Sequence, residues 1–322
     1  MVMKTRLFAA ALAGLVAWTG AAFAQSYPSR PVTMVIPFAA GGPTDVLGRV
    51  VAARMSEVLG QQVVVENVGG AGSKRVAQAN PDGYSFVVGT VGTHAQSQTL
   101  YKKPLYDAVA DFTPVSLLAE VPIALIARQD LPANNFKEFV AHTKANQKTM
   151  QFGSAGAGSA THLGCVVLNS ALGVDITHVP YRGTGPAMQD LIAGRIDYLC
   201  EIISTARPQV EGGKVKALAI MTKARSAVLP NLATTLEQGT DVQAYTWNAI
   251  FLPKGTPADV VKKLNEAAVA AMNTKAVADR LQGLGATIAP PEQRSSQYLA
   301  GFVKSEIEKW AAPIKASGVS AD

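Results

Sequence analysis

The segment Val32-Thr-Met-Val-Ile-Pro-Phe-Ala-Ala-Gly-Gly-Pro-Thr-Asp45 decides the fold, because a buried-strand pattern runs directly into a helix start. Val32 to Ile36 is a short apolar run, rich in β-branched residues, of the kind that forms a buried parallel strand. Gly41 and Gly42 allow the backbone to approach a ligand closely, and Pro43 favours a helix start. The segment therefore predicts a strand, a glycine loop and a helix, which together begin a βαβ unit.

Apolar residues follow the glycine loop at helical spacing up to Gly60, where the predicted helix ends. The first N–H groups of a helix have no partner inside it and lie at its positive end. We therefore expect a carboxylate or phosphate oxygen to be bound by the N–H groups of Gly41, Gly42, Thr44 and Asp45. An ordinary βα turn is the alternative that the local pattern leaves open. The Asp45 carboxylate itself is expected to cap the helix, because it would repel an anion.

Residues 1–24 have the pattern of a secretory signal peptide. Lys4 and Arg6 precede an apolar stretch that ends in Ala22-Phe23-Ala24, an A-x-A cleavage site. A membrane anchor is the alternative, but glycines interrupt the run, and no later stretch of the sequence is long and apolar enough to span a bilayer. The sequence thus predicts an exported, soluble chain that begins at Gln25.

The charge pattern and the cysteines exclude two classes of site. Without Lys4 and Arg6 the formal net charge falls from +6 to +4, and the other basic residues are scattered, unlike a nucleic-acid-binding surface. The two cysteines, Cys165 and Cys200, either form a disulfide in an oxidising compartment or remain buried thiols. They lack metal-site spacing, so we predict no metal, no cofactor and no nucleic-acid partner.

Short apolar runs alternate with helical patterns along the rest of the chain. After the first strand, strands are predicted at 63–66, 85–89, 114–118, 123–128, 150–153, 176–179, 195–200 and 215–221. Helices are predicted at 72–80, from near 135, 159, 185 and 204, and then at 258–273, 275–284 and 292–315. Repeated βαβ units predict an α/β protein with mostly parallel sheets, which bind ligands at the carboxyl ends of their strands.

A second glycine and serine loop lies in Phe152-Gly-Ser-Ala-Gly-Ala-Gly-Ser-Ala-Thr-His-Leu163. This loop also follows a predicted strand and opens a helix, and Ser154, Ser159 and Thr161 add side-chain donors. Two such loops in two sheets can hold opposite ends of one anion.

Two enzyme classes are alternatives to a binding protein. A dinucleotide site is disfavoured, because the Gly156-Ala-Gly158 pair is followed by Thr161 where the Rossmann motif has a third glycine or an alanine. A secreted hydrolase would use Ser154 or Ser159 with His162 or His94. No carboxylate stands at a recognisable orienting position for such a hydrolase, so we expect no enzyme activity.

Several spaced motifs carry a family resemblance. They are Tyr27-Pro-Ser-Arg-Pro31, Pro37 to Asp45, Pro81-Asp-Gly-Tyr84, Asp111-Phe-Thr-Pro-Val115, Gly153 to Leu163 and His178-Val-Pro-Tyr-Arg-Gly183. In this order they resemble the substrate receptors of tripartite tricarboxylate transporters, also called Bug proteins. The resemblance implies a periplasmic receptor with a two-domain, type II-like periplasmic-binding-protein fold. Such a receptor closes on an organic anion and delivers it to the membrane permease subunits. A receptor that acts on a signalling partner is the alternative.

The resemblance also implies a division of the chain. Domain one is expected to be discontinuous, with residues 25–126 plus 245–322, and domain two to cover residues 127–244. Crossing strands would join the two domains, with the ligand cleft between them, and the receptor is expected to be a monomer.

The resemblance places the ligand-binding residues on both domains. From domain one these are Phe38, Ala39, Gly41, Gly42, Asp45, Thr93 and His94. From domain two they are Ser154, Gly158, Ser159, Thr161, His162, Tyr181, Arg182 and Gly183. His162 is equally compatible with a structural role in its helix, and His178, inside a strand, is expected to be structural.

Departures from the family pattern concern the far end of the ligand. Glu201 is one methylene longer than the Asp that the family usually has, and we expect it to meet the far end of the ligand. Arg182 replaces the usual Lys, and a guanidinium can hold a carboxylate through two hydrogen bonds, which favours a dicarboxylate. Trp247 either lines the cleft or covers the hinge.

Overall fold

The structure is a computed structural model that describes residues 27–320, so the predicted signal peptide at 1–24 lies outside the described residues. Its strands are β1 (Val32–Ile36), β2 (Val63–Asn67), β3 (Ser85–Thr90), β4 (Phe112–Arg128), β5 (Gln151–Ser154), β6 (Thr177–Pro180), β7 (Tyr198–Ile202), β8 (Val215–Ile220), β9 (Tyr245–Pro253) and β10 (Thr287–Ile288). Its helices are α1 (Pro43–Leu59), α2 (Gly72–Ala77), α3 (Ser97–Leu100), α4 (Phe136–Asn146), α5 (Ala160–Leu172), α6 (Thr184–Ile192), α7 (Ile203–Glu211), α8 (Ala258–Asn273), α9 (Lys275–Gly283) and α10 (Ser296–Ala316). A π-helical turn (Gly92–Gln96) precedes α3, and 3₁₀ turns lie at Gly69–Ala71 and Pro291–Gln293.

The strands form a mixed sheet in the order β2-β1-β3-β9-β4-β7-β5-β6, with β8 and β10 also paired to β4. β1 is parallel to β2 and β3, and β5 is parallel to β6 and β7. The pairs β3–β9, β4–β9 and β4–β7 are antiparallel. Parallel βαβ units therefore lie on both sides of two long antiparallel strands, and the predicted two-domain α/β fold is confirmed.

β4 belongs to both halves of the molecule. It pairs with β9 from Phe112 to Pro122 and with β7 from Ile123 onward. We call the part with β1, β2, β3, β9, β10 and the first half of β4 lobe one, and the part with β5 to β8 and the second half of β4 lobe two. The predicted domain bounds at 126 and 245 stay predictions.

The prediction of two strands, at 114–118 and 123–128, was wrong, because the two are one continuous strand of 17 residues. Pro122 lies between the two predicted segments, and proline cannot donate to a strand ladder. In the structure Pro122 is the last residue of β4 that pairs with β9, so it lies where the strand passes from lobe one to lobe two.

A disulfide joins Cys165 on α5 to Cys200 on β7, with the two Cα atoms 5.3 Å apart. Both side chains are buried, so the bridge fastens α5 to the sheet of lobe two. Of the two alternatives left open by the sequence, the structure contains the disulfide. In the range 27–320, no helix has the length and apolar character needed to cross a bilayer.

Candidate ligand-binding site

Four helices of the two lobes begin at one small cavity, which we call the inner cavity. Lobe one contributes Gly42, Pro43, Thr44, Thr90 and Thr246 to its walls, and lobe two contributes Ser159, Ala160, Thr161, Thr184 and Ile202. Its volume of about 20 Å³ is room for one or two water molecules. The inner cavity therefore lies between the lobes, where the sequence predicts a cleft.

The helix starts make the inner cavity attractive to an anion. Gly42 precedes α1, Ser159 precedes α5, Gly183 precedes α6 and Ile202 precedes α7. Each helix carries roughly half a positive charge at its N-terminus and exposes N–H groups that have no partner within the helix. Four such ends at one point stabilise negative charge without a basic side chain in the cavity walls.

The first glycine loop is held by Asp45. The Gly41 N–H donates to Asp45 Oδ2 at 2.8 Å, while Oδ1 accepts from Arg49 Nε and Asn67 Nδ2, each at 3.0 Å. Burial opposes ionisation, but these hydrogen bonds outweigh it and lower the pKa of Asp45. Gly41 has a φ of +79°, a left-handed conformation that favours glycine.

The arrangement corrects the expected role of Gly41. Its N–H is taken by Asp45 and is not free to bind an anion, and Asp45 stabilises the loop from within. Gly42 and Thr44 line the inner cavity, and binding of an anion by their N–H groups stays a prediction. Phe38 lies at the edge of this cavity, and its carbonyl accepts from Asn67 at 3.1 Å.

The second glycine loop is closed by its own side chains. Thr161 Oγ1 accepts from the Ala155 N–H at 2.9 Å, and Ser159 Oγ caps α5 by accepting from the His162 N–H at 3.2 Å. Ser159 Oγ also lies 2.7 Å from the Gly156 carbonyl and donates to it. Ser159 and Thr161 line the inner cavity, and their contact with a ligand stays a prediction.

Ser154 and His162 support the second loop from behind and do not line the cleft, which corrects their predicted ligand contacts. His162 Nδ1 accepts from the Gly158 N–H at 3.2 Å, and its ring stacks on His178 with centroids 4.0 Å apart. His178 Nε2 lies 2.7 Å from Ser154 Oγ, and Ser154 is fully buried.

Burial keeps both imidazoles of this pair neutral. Burial, with a further contribution from His178, lowers the pKa of His162 to about 3, and burial lowers that of His178 to about 4. The structural role expected for His178 agrees with this position.

His94 is the second histidine whose position does not support ligand contact. It is fully buried in lobe one, where it stacks on Phe251 at 4.1 Å and meets Phe112 edge-on at 4.7 Å. Its Nδ1 lies 2.9 Å from Thr93 Oγ1, and burial lowers its pKa to about 3. Thr93 alone of this pair faces the cleft, because it lines the groove described next.

A larger groove of about 400 Å³ adjoins the inner cavity, and we call it the outer groove. Phe38, Ala155 and Ser159 line both spaces. Of the predicted site residues, Thr93, Gly158, Tyr181 and Arg182 also line the outer groove. Tyr181 donates its hydroxyl hydrogen to Asp190 Oδ2 at 2.8 Å, and burial, with this bond, raises its pKa to about 12. The Arg182 side chain is exposed.

Contacts across the cleft hold the two lobes in a closed arrangement. The Ala39 N–H donates to the Arg182 carbonyl at 3.2 Å, and the Tyr101 hydroxyl donates to the Ala157 carbonyl at 2.9 Å. A Cβ atom on Gly183 would lie 2.8 Å from Ala39 Cβ, so only glycine permits this approach. Tyr101 was not predicted as a site residue, because no pattern in the neighbouring sequence indicates a side chain that contacts the other lobe.

Glu201 does not line the cleft, which corrects its predicted direct contact with the ligand. It is fully buried, and its Oε1 accepts from Thr205 Oγ1 at 2.5 Å and from the Ile202 N–H at 3.0 Å. Burial raises its pKa to about 7. Thr184, which was not predicted as a site residue, lies between this carboxyl and the inner cavity, and it lines that cavity. It is close enough to Glu201 to counteract part of the rise in pKa, but the two side chains form no hydrogen bond.

Trp247 lies on β9 beside the part of β4 that precedes the passage between the lobes, and it lines neither the inner cavity nor the outer groove. It is fully buried on β9, and its Nε1 donates to Glu306 Oε2 on α10 at 3.0 Å. The neighbouring Tyr245 hydroxyl donates to Glu306 Oε1 at 2.8 Å. Within the described part of the chain, no group of three or more His, Cys, Asp or Glu side chains is arranged to hold a metal ion.

The fold and the cleft define the class of two-lobed solute-binding proteins. A family model described as "Tripartite tricarboxylate transporter family receptor" matches residues 47–319, and the chain belongs to this family. The family is one of receptors for solutes, and the resemblance seen in the sequence motifs is confirmed.

Three solved structures are similar over nearly the whole chain. MatC from Rhodopseudomonas palustris, with bound malate, is 42% identical with a TM-score of 0.87, covering 89% of this chain and 100% of that one. The periplasmic binding protein BugD is 39% identical with a TM-score of 0.88, covering 92% and 100%. A second R. palustris protein, with adipate, is 33% identical with a TM-score of 0.87, covering 91% and 99%.

Proposed function

We propose that this chain is a periplasmic receptor that closes on a small dicarboxylate and delivers it to the permease of a tripartite tricarboxylate-type transporter. The observation that carries the proposal is the convergence of four helix N-termini on the inner cavity between the lobes. Malate in MatC and adipate in the second R. palustris protein, both dicarboxylates, support the ligand class.

One carboxylate of the ligand binds where the helices begin. Backbone N–H groups of the loop before α1 and the hydroxyl of Thr184 are its donors. The rest of the ligand extends past Phe38 into the outer groove, where the exposed guanidinium of Arg182 pairs with the second carboxylate. Gly158 and Tyr181 shape this outer part of the site.

The binding energy of such a site is sufficient for a transport receptor. Four or five charge-assisted hydrogen bonds at about 1.5–3 kcal/mol each contribute about 6–15 kcal/mol before the costs of ordering and association. A net free energy of about −8 kcal/mol corresponds to micromolar affinity. Because donors come from both lobes, the ligand favours the closed arrangement over an open one.

A thermal-shift screen of the protein without residues 1–24 tests the proposal. The panel contains malate, adipate, a tricarboxylate and aromatic acids, with sugars and cations as controls. A ligand at about 100 times its Kd stabilises the native state by about 2.7 kcal/mol, which raises the melting temperature by several degrees. A shift confined to dicarboxylates supports the ligand class, and the absence of any shift with carboxylates, with no acid recovered from the denatured protein, rejects the proposal.

A secreted hydrolase is the alternative, and the hydrogen bond between Ser154 and His178 is the observation that favours it. Ser154 is fully buried, and in the part of the chain that the structure describes no acidic side chain hydrogen-bonds to His178. A nucleophile needs both an approach for substrate and an oriented base. Recovery of a bound acid chemically unchanged after long incubation distinguishes the receptor from the hydrolase.

A further inference from the structure

Thr184 presents a hydroxyl to the inner cavity that no protein group satisfies. It is the first residue of α6, and only 3% of its surface is exposed. A methyl group at Gly42, on the opposite lobe, would lie 3.8 Å from Thr184 Oγ1, so the hydroxyl faces the first glycine loop across the cleft. Within residues 27–320 this oxygen has no hydrogen-bond partner. A buried hydroxyl in this position is available to a ligand.

Glu201 lies behind Thr184 and also has an unsatisfied oxygen. Successive side chains of a strand point to opposite faces, and Cys200 is bonded to α5, so Glu201 faces α6 and α7. Its Oε1 is fixed by Thr205 and Ile202, whereas Oε2 has no partner among the described residues. A buried carboxyl oxygen and a buried hydroxyl that both lack hydrogen-bond partners lower the stability of the fold, unless the two groups take part in binding a ligand.

The groups that surround Glu201 are neutral. Thr184 and Thr205 face it from α6 and α7, and Ala124 lies opposite it on β4. Glu120 lies on the part of β4 that pairs with β9, away from Glu201. The other charged residues of these elements are engaged in the pairs Asp190–Arg195, Arg207–Glu211 and Arg128–Asp197. His162, on α5, lies on the other side of β7 with the disulfide. No neighbouring charge therefore compensates an ionised Glu201.

We propose that Glu201 controls the direction of the Thr184 hydroxyl hydrogen, so that the carboxylate ligand is bound together with one proton held on Glu201. This inference rests on the proposed function. Thr184 and Glu201 form no hydrogen bond in the structure. After a side-chain rotation, a protonated Glu201 donates its O–H to Thr184, whose own hydrogen then points into the inner cavity toward the ligand carboxylate. When Glu201 is ionised, Thr184 donates back to it and the ligand loses a donor and meets a negative charge.

The expected consequence is an affinity that falls as pH rises. Burial raises the pKa of Glu201 to about 7, so Glu201 loses its proton within the neutral range. If only the protonated form binds, the apparent Kd increases about 30-fold between pH 6 and pH 8.5, approaching tenfold per pH unit at the alkaline end. The carboxylates of malate and adipate are ionised throughout this range, so they contribute little to the change.

Calorimetric titration of malate and adipate from pH 6 to pH 8.5 tests the inference. In two buffers with different ionisation enthalpies, the wild-type protein should take up protons on binding above pH 7. Glu201→Gln keeps a permanent donor beside Thr184 and should retain the affinity measured at pH 6 while losing the pH dependence. Thr184→Val should bind weakly at every pH, and Thr184→Ser should restore wild-type behaviour. Glu211→Gln, the same change at an exposed position on α7, is the matched control and should leave the profile unchanged.

Two results would overturn the inference. One is a wild-type Kd that stays constant from pH 6 to 8.5, and the other is a Glu201→Gln protein with the wild-type pH dependence. In either case binding at pH 6 still supports the receptor function, whereas no binding of any carboxylate at any pH overturns both proposals. Melting temperatures show whether each variant folds. If Glu201→Gln does not fold, the comparison of Thr184→Val with Thr184→Ser tests the inference instead.

Discussion

Replacement of Gly42 by valine should abolish ligand binding while leaving the protein folded. Gly42 has φ −76° and ψ 168°, which valine adopts without strain. Its Cβ would lie 3.4 Å from the Ala39 carbonyl oxygen, an ordinary contact, but the two γ-methyl groups must extend further. The inner cavity of about 20 Å³ has no room for both methyl groups and a ligand carboxylate.

The magnitude follows from the donors that the valine displaces. Loss of two charge-assisted hydrogen bonds, at about 1.5–3 kcal/mol each, raises Kd by a factor of at least about 100. A valine at the residue before a helix is less favourable than glycine by about 1 kcal/mol, which lowers the melting temperature by about 2–4 °C. Titration calorimetry with malate and a thermal melt measure the two effects separately.

Gly41→Ala is the matched control for this experiment. Its φ of +79° makes any side chain cost about 1–2 kcal/mol, yet no atom lies within 4 Å of the added methyl group. This variant should therefore lose at least as much stability as Gly42→Val and keep its ligand. Wild-type affinity in Gly42→Val, or equal loss of binding in both variants, would refute the assignment of the inner cavity as the carboxylate site.

Three further predictions concern closure, pH and the disulfide. Tyr101→Phe removes a hydrogen bond that spans the cleft, so Kd measured by calorimetry should rise about 2- to 10-fold with little change in melting temperature; an unchanged Kd would contradict a role in closure. Acidification should weaken the fold between about pH 6.5 and 4, because burial lowers the pKa of both His94 and His162 to about 3 and the unfolded chain takes up these protons first. Each histidine lowers the free energy of unfolding by about 1.4 kcal/mol per pH unit, and the raised pKa of Glu201, which acts in the opposite direction, offsets only one of the two. Urea unfolding at pH 7 and pH 5 should show this loss in the wild type and in a His142→Gln control. Equal free energies of unfolding at the two pH values would contradict the prediction. Cys200→Ser should cost roughly 4 kcal/mol, since the bridge closes a loop with a sequence separation of 35 residues, and a melt of the oxidised wild type with and without reductant checks this value.

Local patterns in the sequence were sufficient for the βα units and insufficient for the long strands. The strand at Val32–Ile36 and the helix at Pro43–Leu59 are where the pattern predicts them, because apolar spacing and capping residues act within a few residues. β9 was missed and β4 was predicted as two separate strands, because both strands owe their length to partners far away in the chain. Such pairing leaves no local mark beyond an apolar run.

The site could be predicted as a pair of backbone loops but not as a set of side chains. Gly42 and Ser159 follow from loop chemistry that any βα turn of this kind shares. The direction in which His94 and His162 point depends on which aromatic neighbours bury them, and this is settled only by packing. Thr184 was missed because a threonine after a glycine has no distinctive signal until three other helix starts are found beside it.

The place of β9 in the sheet has a consequence for how the chain reaches its compartment. β3 and β4 do not pair with each other, because β9 lies between them and bonds to both. Lobe one therefore stays an incomplete sheet until residues 245–253 are available, late in the chain. Lobe one cannot be completed before export until most of the chain has been synthesised. This matters if the chain is exported from its N-terminus through a secretion channel, as we propose. We expect this topology to delay the folding of lobe one, which would leave the chain unfolded for longer during the proposed export.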